Sequence, residues 1–224
     1  MLKYILPVTS FIILSTISTS SYALQRVFST PNIFLTYKTR IAKLVKNNPH
    51  QLSAKEYTLI AQEVLKKAPC NLLVFGVGND SSLWIDLNKG GNTVFLEDSE
   101  KWLTKVREQL PQLCAYLVRY NHKRKQWSEL LAKLNNHTLF ASIPPHILTT
   151  KWDIIFVDGP EGWSDEKPGR MSSIYMAALL AHKNKNSQVF IHDCDRQVEA
   201  VYASKFLQDK NLKQTVDRLC HYTL

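Results

Sequence analysis

The sequence predicts an α/β fold in which a parallel sheet carries helices on both faces. Short apolar runs, such as NLLVF at 71–75 and DIIFV at 153–157, alternate with helical segments, and this order is typical of a parallel sheet. Glycines follow the first run directly, and acidic residues follow several of the others. Because ligands bind at the carboxyl ends of strands in such sheets, these residues are the candidates for a functional site.

The elements can be placed one by one. Ser53 can cap a helix that runs to Lys67, because Glu56 stands three residues after it and an apolar stripe follows at Tyr57, Ile60, Ala61 and Val64. Further helices are predicted at 81–88, 100–110, 126–134, 171–182 and 198–207. Buried strands are predicted at 71–75, 93–96, 116–120, 153–157 and 188–191, before a short strand-like tail.

Composition narrows the class of partner. The chain has 224 residues, enough for one domain and a short leader, and a formal net charge of +9. A positive net charge favours binding to an anionic partner, such as nucleic acid, anionic lipid or acidic polysaccharide. No zinc-finger spacing or ribonucleoprotein motif accompanies the basic run at 119–125, so we expect no nucleic-acid partner, and the run is typical of a solvated face.

The amino-terminal segment predicts export. Residues 4–24 carry no charge, and Ser21, Tyr22 and Ala23 resemble the approach to a cleavage site. We expect a signal peptide or signal anchor at 1–24, a tether and basic helical lead-in at 25–52, and the catalytic domain at 53–224. Membrane anchoring through 4–24 is the alternative to cleavage, and a buried amino-terminal strand is a third interpretation.

The four cysteines leave the disulfide pattern open. Cys70, Cys114, Cys194 and Cys220 form no C-x-x-C pair, which argues against zinc or thioredoxin-like chemistry. Three complete pairings are possible, and one or two disulfides could form in an oxidising compartment, but buried free thiols are equally compatible with the sequence.

A glycine turn after the first strand predicts a nucleoside site. Gly76 and Gly78 let the backbone approach a ligand, although a structural turn explains a lone G-x-G as well. Glu97, 19 residues after Gly78, ends the second strand and can accept hydrogen bonds from ribose hydroxyls. Ser81 stands where a dinucleotide fingerprint has its third glycine. S-adenosylmethionine has no pyrophosphate and needs this glycine less, so it is a candidate ligand. We expect Gly76, Gly78, Asp80 and Glu97 to line the pocket for this methyl donor.

A glycine- and proline-rich loop follows the strand at 153–157. Asp158 could act as a base, a metal ligand or a contact for the donor's amino group, and a turn aspartate is the structural alternative. Arg170 could clamp a carboxylate, although a surface salt bridge is equally compatible. Trp163, a loop tryptophan, could stack on a sugar ring.

His192 and Asp193 follow the last buried strand. His192 could take a proton from a hydroxyl group, and a satisfied core histidine is the structural alternative. Asp158 and Asp193, at two strand ends, could hold a divalent metal ion that lowers the pKa of a bound sugar hydroxyl.

Five motifs together resemble a known family. They are FGVGNDS at 75–81, GGNTVFLE at 90–97, VDGP at 157–160, PGRMSSIY at 168–175 and VFIHD at 189–193. From about Pro69 onward the chain is similar to the plant glucuronoxylan 4-O-methyltransferase and irregular-xylem family. The resemblance implies a class I S-adenosylmethionine-dependent methyltransferase-like (Rossmann-like) fold, a Golgi-lumen location, and methylation of the 4-hydroxyl of glucuronic acid on xylan or a related polysaccharide.

These expectations define a mechanism and its rivals. We expect Asp158, with His192 or Asp193, to assist deprotonation of the sugar hydroxyl, and Arg170 with nearby lysines to hold the uronate carboxylate. A non-catalytic polysaccharide-binding or assembly protein on the same fold is the first rival. A nicotinamide-dependent oxidoreductase is disfavoured, because the third glycine and a Tyr-x-x-x-Lys pair are missing. A bacterial source would make the protein exported or periplasmic.

Overall fold

The computed structural model describes residues 31–133, 139 and 141–224, so the predicted leader at 1–24 lies outside the described residues. The helices are α1 (Pro31–Asn47), α2 (Ala54–Lys67), α3 (Ser81–Leu87), α4 (Glu100–Gln109), α5 (Trp127–Lys133), α6 (Pro145–Thr149), α7 (Met171–Ala181) and α8 (Gln197–Leu207). The strands are β1 (Asn71–Phe75), β2 (Asn92–Glu97), β3 (Ala115–Leu117), β4 (Ile154–Val157), β5 (Gln188–Ile191), β6 (Leu212–Val216) and β7 (Leu219–Thr223).

One seven-stranded sheet, in the order β3-β2-β1-β4-β5-β7-β6, organises the molecule. The first five strands are parallel, and β7 runs antiparallel to both β5 and β6. The predicted α/β fold with a parallel sheet is therefore confirmed, with a mixed edge where the sequence predicted only a strand-like tail. The strand order reverses between β1 and β4, and a crevice opens at such a switch point.

Helices cover both faces of the sheet. Leu73 and Phe75 of β1 belong to a core cluster that includes α7 and α8, whereas Leu72 and Val74 belong to a cluster with the helices of the amino-terminal half. This alternation follows from the two-residue repeat of a strand. Because both faces are buried, the parallel strands consist of continuous apolar runs, as the sequence predicted.

The described part of the predicted lead-in packs onto this domain. Ile41 of α1 is buried, and Arg40 forms an ion pair with Asp86 of α3. The helical character expected for this basic segment is thus present from Pro31 onward. Within the described part of the chain, no helix combines the length and apolarity that crossing a bilayer requires.

A disulfide joins two segments that are distant in sequence. Cys194, just after β5, is bonded to Cys220 of β7, whereas Cys70 is a buried free thiol and Cys114 an exposed one. The bond connects neighbouring strands, since Ile191 of β5 pairs with Cys220. The structure therefore resolves one pairing that the sequence left open.

The other predicted helices and strands agree with the structure to within one residue at each end, but two elements differ more. β3 comprises Ala115–Leu117, whereas the strand was expected at 116–120, and the helix Pro145–Thr149 was missed. A five-residue helix is too short to show a recurring apolar stripe, and β3 lies at the edge of the sheet, where pairing on one side only limits its length.

A capping box begins α2. The Ser53 side chain accepts a hydrogen bond from the Glu56 backbone amide, and the Glu56 carboxylate accepts one from the Ser53 amide at 2.6 Å. Replacing Ser53 with alanine leaves the Glu56 amide without this acceptor. We expect Ser53→Ala to lower the free energy of unfolding by about 1 kcal/mol in urea titrations.

Ser142→Ala is the matched control, because Ser142 is an exposed loop serine. Equal unfolding free energies for Ser53→Ala and Ser142→Ala would show that the capping box contributes nothing measurable.

Candidate functional site

A cleft of about 740 Å³ lies at the carboxyl ends of β1, β2 and β4. The turns after these strands supply most of its wall, and Asn48, Gln51 and Tyr57 from the α1–α2 region supply the rest. Its volume falls within the range of roughly 300–1,000 Å³ that small-molecule sites occupy. The cleft therefore lies where the strand-end rule predicts a ligand.

Two glycines form the base of the cleft. Gly76 has φ +107°, a conformation that other residues rarely adopt, and a Cβ there would lie 3.2 Å from the Gly159 amide nitrogen. A Cβ on Gly159 would in turn lie 2.8 Å from Gly76 Cα. The turns after β1 and β4 thus pack backbone against backbone, and this leaves space above them for a ligand.

Glu97 borders the cleft with a buried carboxylate. Its Oε2 accepts a hydrogen bond from the Val77 amide and its Oε1 accepts one from the Ser99 amide, both at 2.8 Å. Burial raises the pKa of Glu97 to about 6, against the opposing effect of these amides. Because a carboxylate oxygen can accept more than one hydrogen bond, Glu97 can still bind ligand hydroxyls.

Asp80 is the second buried acid of this wall. Its Oδ2 accepts a hydrogen bond from Trp84 Nε1 at 3.0 Å. Burial, together with the nearby charge of Asp158, raises the pKa of Asp80 to about 7. The sequence-predicted donor residues Gly76, Gly78, Asp80 and Glu97 all line the cleft.

Asp158 also lines the cleft, but its pKa is lowered whereas that of Asp80 is raised. His192 Nδ1 donates to Asp158 Oδ1 at 2.8 Å, and Arg170 donates to the same oxygen at 3.2 Å. Burial raises the pKa of Asp158, but the hydrogen bond and charge of His192 and the charge of Arg170 outweigh burial and hold the pKa below its usual value. Asp158 therefore presents an ionised carboxylate to the cleft.

His192 lies behind Asp158. It is 2% exposed and does not line the cleft. Its Nε2 has no hydrogen-bond partner among the described residues and lies 3.9 Å from Glu56 Oε2. His192 can therefore orient Asp158 through the hydrogen bond that its Nδ1 donates. Of the two side chains, Asp158 is the one within reach of a ligand.

Asp193 is held by three arginines. Its carboxylate lies 2.9 Å from Arg170, 3.0 Å from Arg196 and 2.6 Å from Arg218. Ligand atoms of Asp158, His192 and Asp193 do lie within 4.8 Å of one another, as the predicted metal site requires. A divalent cation there would face guanidinium groups that already neutralise these carboxylates, so the arrangement does not fit the predicted metal.

Arg170 and Trp163 lie outside the cleft lining. Arg170 is 5% exposed, and besides the two aspartates it donates to the carbonyl oxygens of His192 and Pro160. Its donors are thus directed at the protein interior and not at a substrate carboxylate. Trp163 is 67% exposed, and Lys167 Nζ lies 5.7 Å from its ring centroid.

Sequence reasoning missed several cleft residues. Trp102, Lys101 and Lys105 of α4 line the cleft, and Lys105 Nζ lies 4.8 Å from the Trp102 ring centroid. One sequence pattern could have indicated them: Lys101 and Lys105 are four residues apart and therefore lie on the same face of the helix that follows Glu97. The loop after β4 is in turn bound by the basic run, since Lys123 and Lys125 both pair with Glu166.

The chain is similar in sequence to several known proteins. The family model described as IRX15/IRX15L/GXM matches residues 55–142 and 138–222. The chain is 36% identical over 191 residues to Glucuronoxylan 4-O-methyltransferase 1 of Arabidopsis thaliana, covering 78% of this chain and 68% of the relative. It is 34% identical over 195 residues to Arabinogalactan O-methyltransferase 2 of the same plant, covering 78% and 67%. The chain thus spans about two thirds of these relatives.

Among solved structures, the fold is similar to that of a Staphylococcus aureus protein assigned as a caffeoyl-CoA O-methyltransferase. The TM-score is 0.50 at 10% sequence identity, covering 91% of this chain and 96% of the other. At this identity the likeness shows the shared fold alone.

The raised pKa of Asp80 predicts a pH-dependent stability. The folded protein keeps a proton on Asp80 up to about pH 7, whereas the unfolded chain releases it near 3.8. Stability contributed by this proton is present below about pH 4 and is lost as the pH rises through about 7. Asp80→Asn keeps an acceptor for Trp84 but cannot titrate. The unmodified protein should lose unfolding free energy between about pH 5 and about pH 8, and we expect this loss to be smaller by about 2 kcal/mol in Asp80→Asn, as measured by urea titrations.

Asp195→Asn serves as the control, because Asp195 is exposed. If Asp80→Asn and the unmodified protein lose the same unfolding free energy over this pH range, Asp80 is not the group responsible.

Proposed function

Because the chain belongs to the IRX15/IRX15L/GXM family, we propose that it is an S-adenosylmethionine-dependent O-methyltransferase that acts on a polysaccharide. The acceptor that we propose is the 4-hydroxyl of glucuronic acid side chains on xylan or a related glycan, as the names of the relatives suggest. One observation carries the proposal: the glycine turn, Glu97 and Asp158 converge on a single cleft at the switch point of the sheet.

The cleft residues fit a nucleoside-bearing donor. S-adenosylmethionine supplies a methyl group made electrophilic by its sulfonium sulfur. Glu97 is placed to accept hydrogen bonds from ribose hydroxyls, and Gly76 and Gly78 keep the turn open for close backbone approach. Asp80, buried in the same wall, is placed to bind a polar or cationic part of the donor.

Asp158 is the group that we propose to take the proton from the acceptor. A sugar hydroxyl is a poor nucleophile near neutral pH and needs a base within hydrogen-bond reach. As the new carbon–oxygen bond forms and the carbon–sulfur bond breaks, the hydroxyl proton passes to Asp158, and His192 orients that carboxylate through their 2.8 Å hydrogen bond. The step requires no metal ion, and the arginines on Asp193 leave no favourable place for one.

Lysines of the cleft offer a site for the uronate carboxylate. Lys101, Lys105 and Lys167 line the cleft, and the first two form no ion pair among the described residues. We propose that they take the role that the sequence suggested for Arg170, with Trp102 offering a ring face beside them. Exposed ion pairs of this kind contribute more to recognition than to stability.

We propose that the domain works in the lumen of the secretory pathway, the Golgi in particular, or outside the cytoplasm of a bacterium. The Cys194–Cys220 disulfide supports this location, because disulfides persist in oxidising compartments. The uncharged segment at 4–24 supports it from the sequence, as a cleaved signal or as a membrane anchor.

Donor binding tests the core of the proposal. Glu97→Gln keeps the size of the side chain but removes the charge that holds the ribose hydroxyls, so we expect the affinity for S-adenosylmethionine to fall about tenfold or more in calorimetry. Glu100→Gln, at an exposed position on α4, should bind the donor like the unmodified protein.

An unmodified protein that binds uronic-acid oligosaccharides but not S-adenosylmethionine would favour the rival function, a non-catalytic polysaccharide-binding protein on this fold. Full affinity in Glu97→Gln would remove Glu97 from the donor site.

Turnover tests the proposed base. We expect Asp158→Asn and His192→Gln each to lower methyl transfer to glucuronic-acid-bearing xylo-oligosaccharides by about 100-fold, the usual scale for lost acid–base assistance, while donor affinity stays nearly intact. Mass spectrometry of the products measures both the rate and the methylated position. Near-normal turnover in both variants would contradict the mechanism and leave positioning alone as the source of catalysis.

A further inference from the structure

A second depression, which we call the α1 groove, adjoins the cleft. It has a volume of about 570 Å³ and is lined by Arg40, Lys43, Leu44, Asn47, Asn48 and Asn79. Asn48 and Asn79 also line the cleft, and Asn79 Nδ2 donates to Asn48 Oδ1 at 2.7 Å. The two depressions therefore lie next to each other and share the wall that this amide pair forms.

The lining of the α1 groove is polar and cationic. Three of its six side chains are carboxamides, which both donate and accept hydrogen bonds, and none is acidic. The whole of α1 carries four basic residues, Lys38, Arg40, Lys43 and Lys46, and no acidic one. This composition complements a ligand that combines many hydroxyl groups with scattered carboxylates.

The two cations of the groove differ in availability. Arg40 is bound to Asp86 at 2.5 Å and to Ser82 at 2.7 Å, so its guanidinium is held in place on α3. Lys43 is exposed and forms no ion pair among the described residues. Lys43 is thus the cation that can meet a ligand carboxylate without breaking an existing contact.

We infer that the α1 groove is a subsite for an acidic glycan chain that extends from the cleft. This inference rests on the proposed function, because a polymer whose one sugar lies beside Asp158 must leave the cleft through one of its openings. Asn47, Asn48 and Asn79 bind hydroxyl groups of the neighbouring sugars, and Lys43 pairs with a carboxylate farther along the chain. The groove thereby makes a long acidic acceptor bind better than a short one.

Acceptor length is the variable that tests this subsite. The experiment compares KM values for a glucuronic-acid-substituted xylotriose and a xylohexaose carrying two such substituents. We expect Lys43→Glu to raise the KM for the longer acceptor about fivefold and that for the shorter acceptor by less, since charge reversal at an exposed site replaces attraction with repulsion. Lys43→Gln should show a smaller effect in the same direction.

Lys89→Glu is the matched control. Lys89 is exposed and precedes β2, so it lies at the amino ends of the parallel strands, whereas the cleft lies at their carboxyl ends. Lys89→Glu changes the net charge of the protein by the same amount as Lys43→Glu. Equal KM changes for both acceptors, no change in either, or the same change in Lys89→Glu would overturn the subsite.

Direct binding separates this inference from the proposed function. If the unmodified protein shows no methyl transfer and no affinity for S-adenosylmethionine, the proposed function fails, but calorimetry with the substituted xylohexaose still tests the groove. Weaker binding in Lys43→Glu than in Lys89→Glu then supports the subsite, and equal binding refutes it.

Discussion

The site depends on one buried carboxylate, that of Asp193, which three guanidinium groups hold at 2.6–3.0 Å. The arginines come from the start of α7, the start of α8 and the turn between β6 and β7. A buried carboxylate has lost its hydration, and these donors replace it. Because each arginine comes from a different segment and all three contact the same buried carboxylate, the cluster holds the three segments together around the end of β5.

The same network reaches the cleft and the amino-terminal half. Arg170 contacts Asp158 as well as Asp193, and the Arg218 amide donates to the buried Glu56 carboxylate of α2. Asp158 is therefore surrounded by positive and hydrogen-bond-donating groups that keep it ionised, whereas burial dominates at Asp80 and Glu97 and raises their pKa values. The carboxyl ends of the strands thus carry one ionised carboxylate, Asp158, beside two acids, Asp80 and Glu97, whose pKa values are raised towards neutral pH.

Local patterns explain how much of this could be predicted. Apolar runs of four or five residues located the parallel strands, and the glycine turn and strand-end acids identified the cleft side of the sheet. The role suggested for Arg170 could not be judged without its partners, which lie 10 to 23 residues away in sequence. The metal suggested at Asp158 and Asp193 could not be judged from local sequence for the same reason, since the arginines that contact these carboxylates come from separate segments. Asn48 and Gln51, in the segment after α1, line the cleft although no local pattern in the sequence indicates it.

The sequence by itself determined the order and type of the elements and the convergence of Gly76, Asp80, Glu97 and Asp158 at one edge. These features follow from side-chain periodicity and from the common direction of parallel strands. Only the tertiary structure decided which charges are paired, which two of the four cysteines form a disulfide, and where a groove adjoins the cleft. The physical reason is that pairing depends on distances between segments: Asp193 and Arg218 are 25 residues apart in sequence, and the sheet brings them into contact.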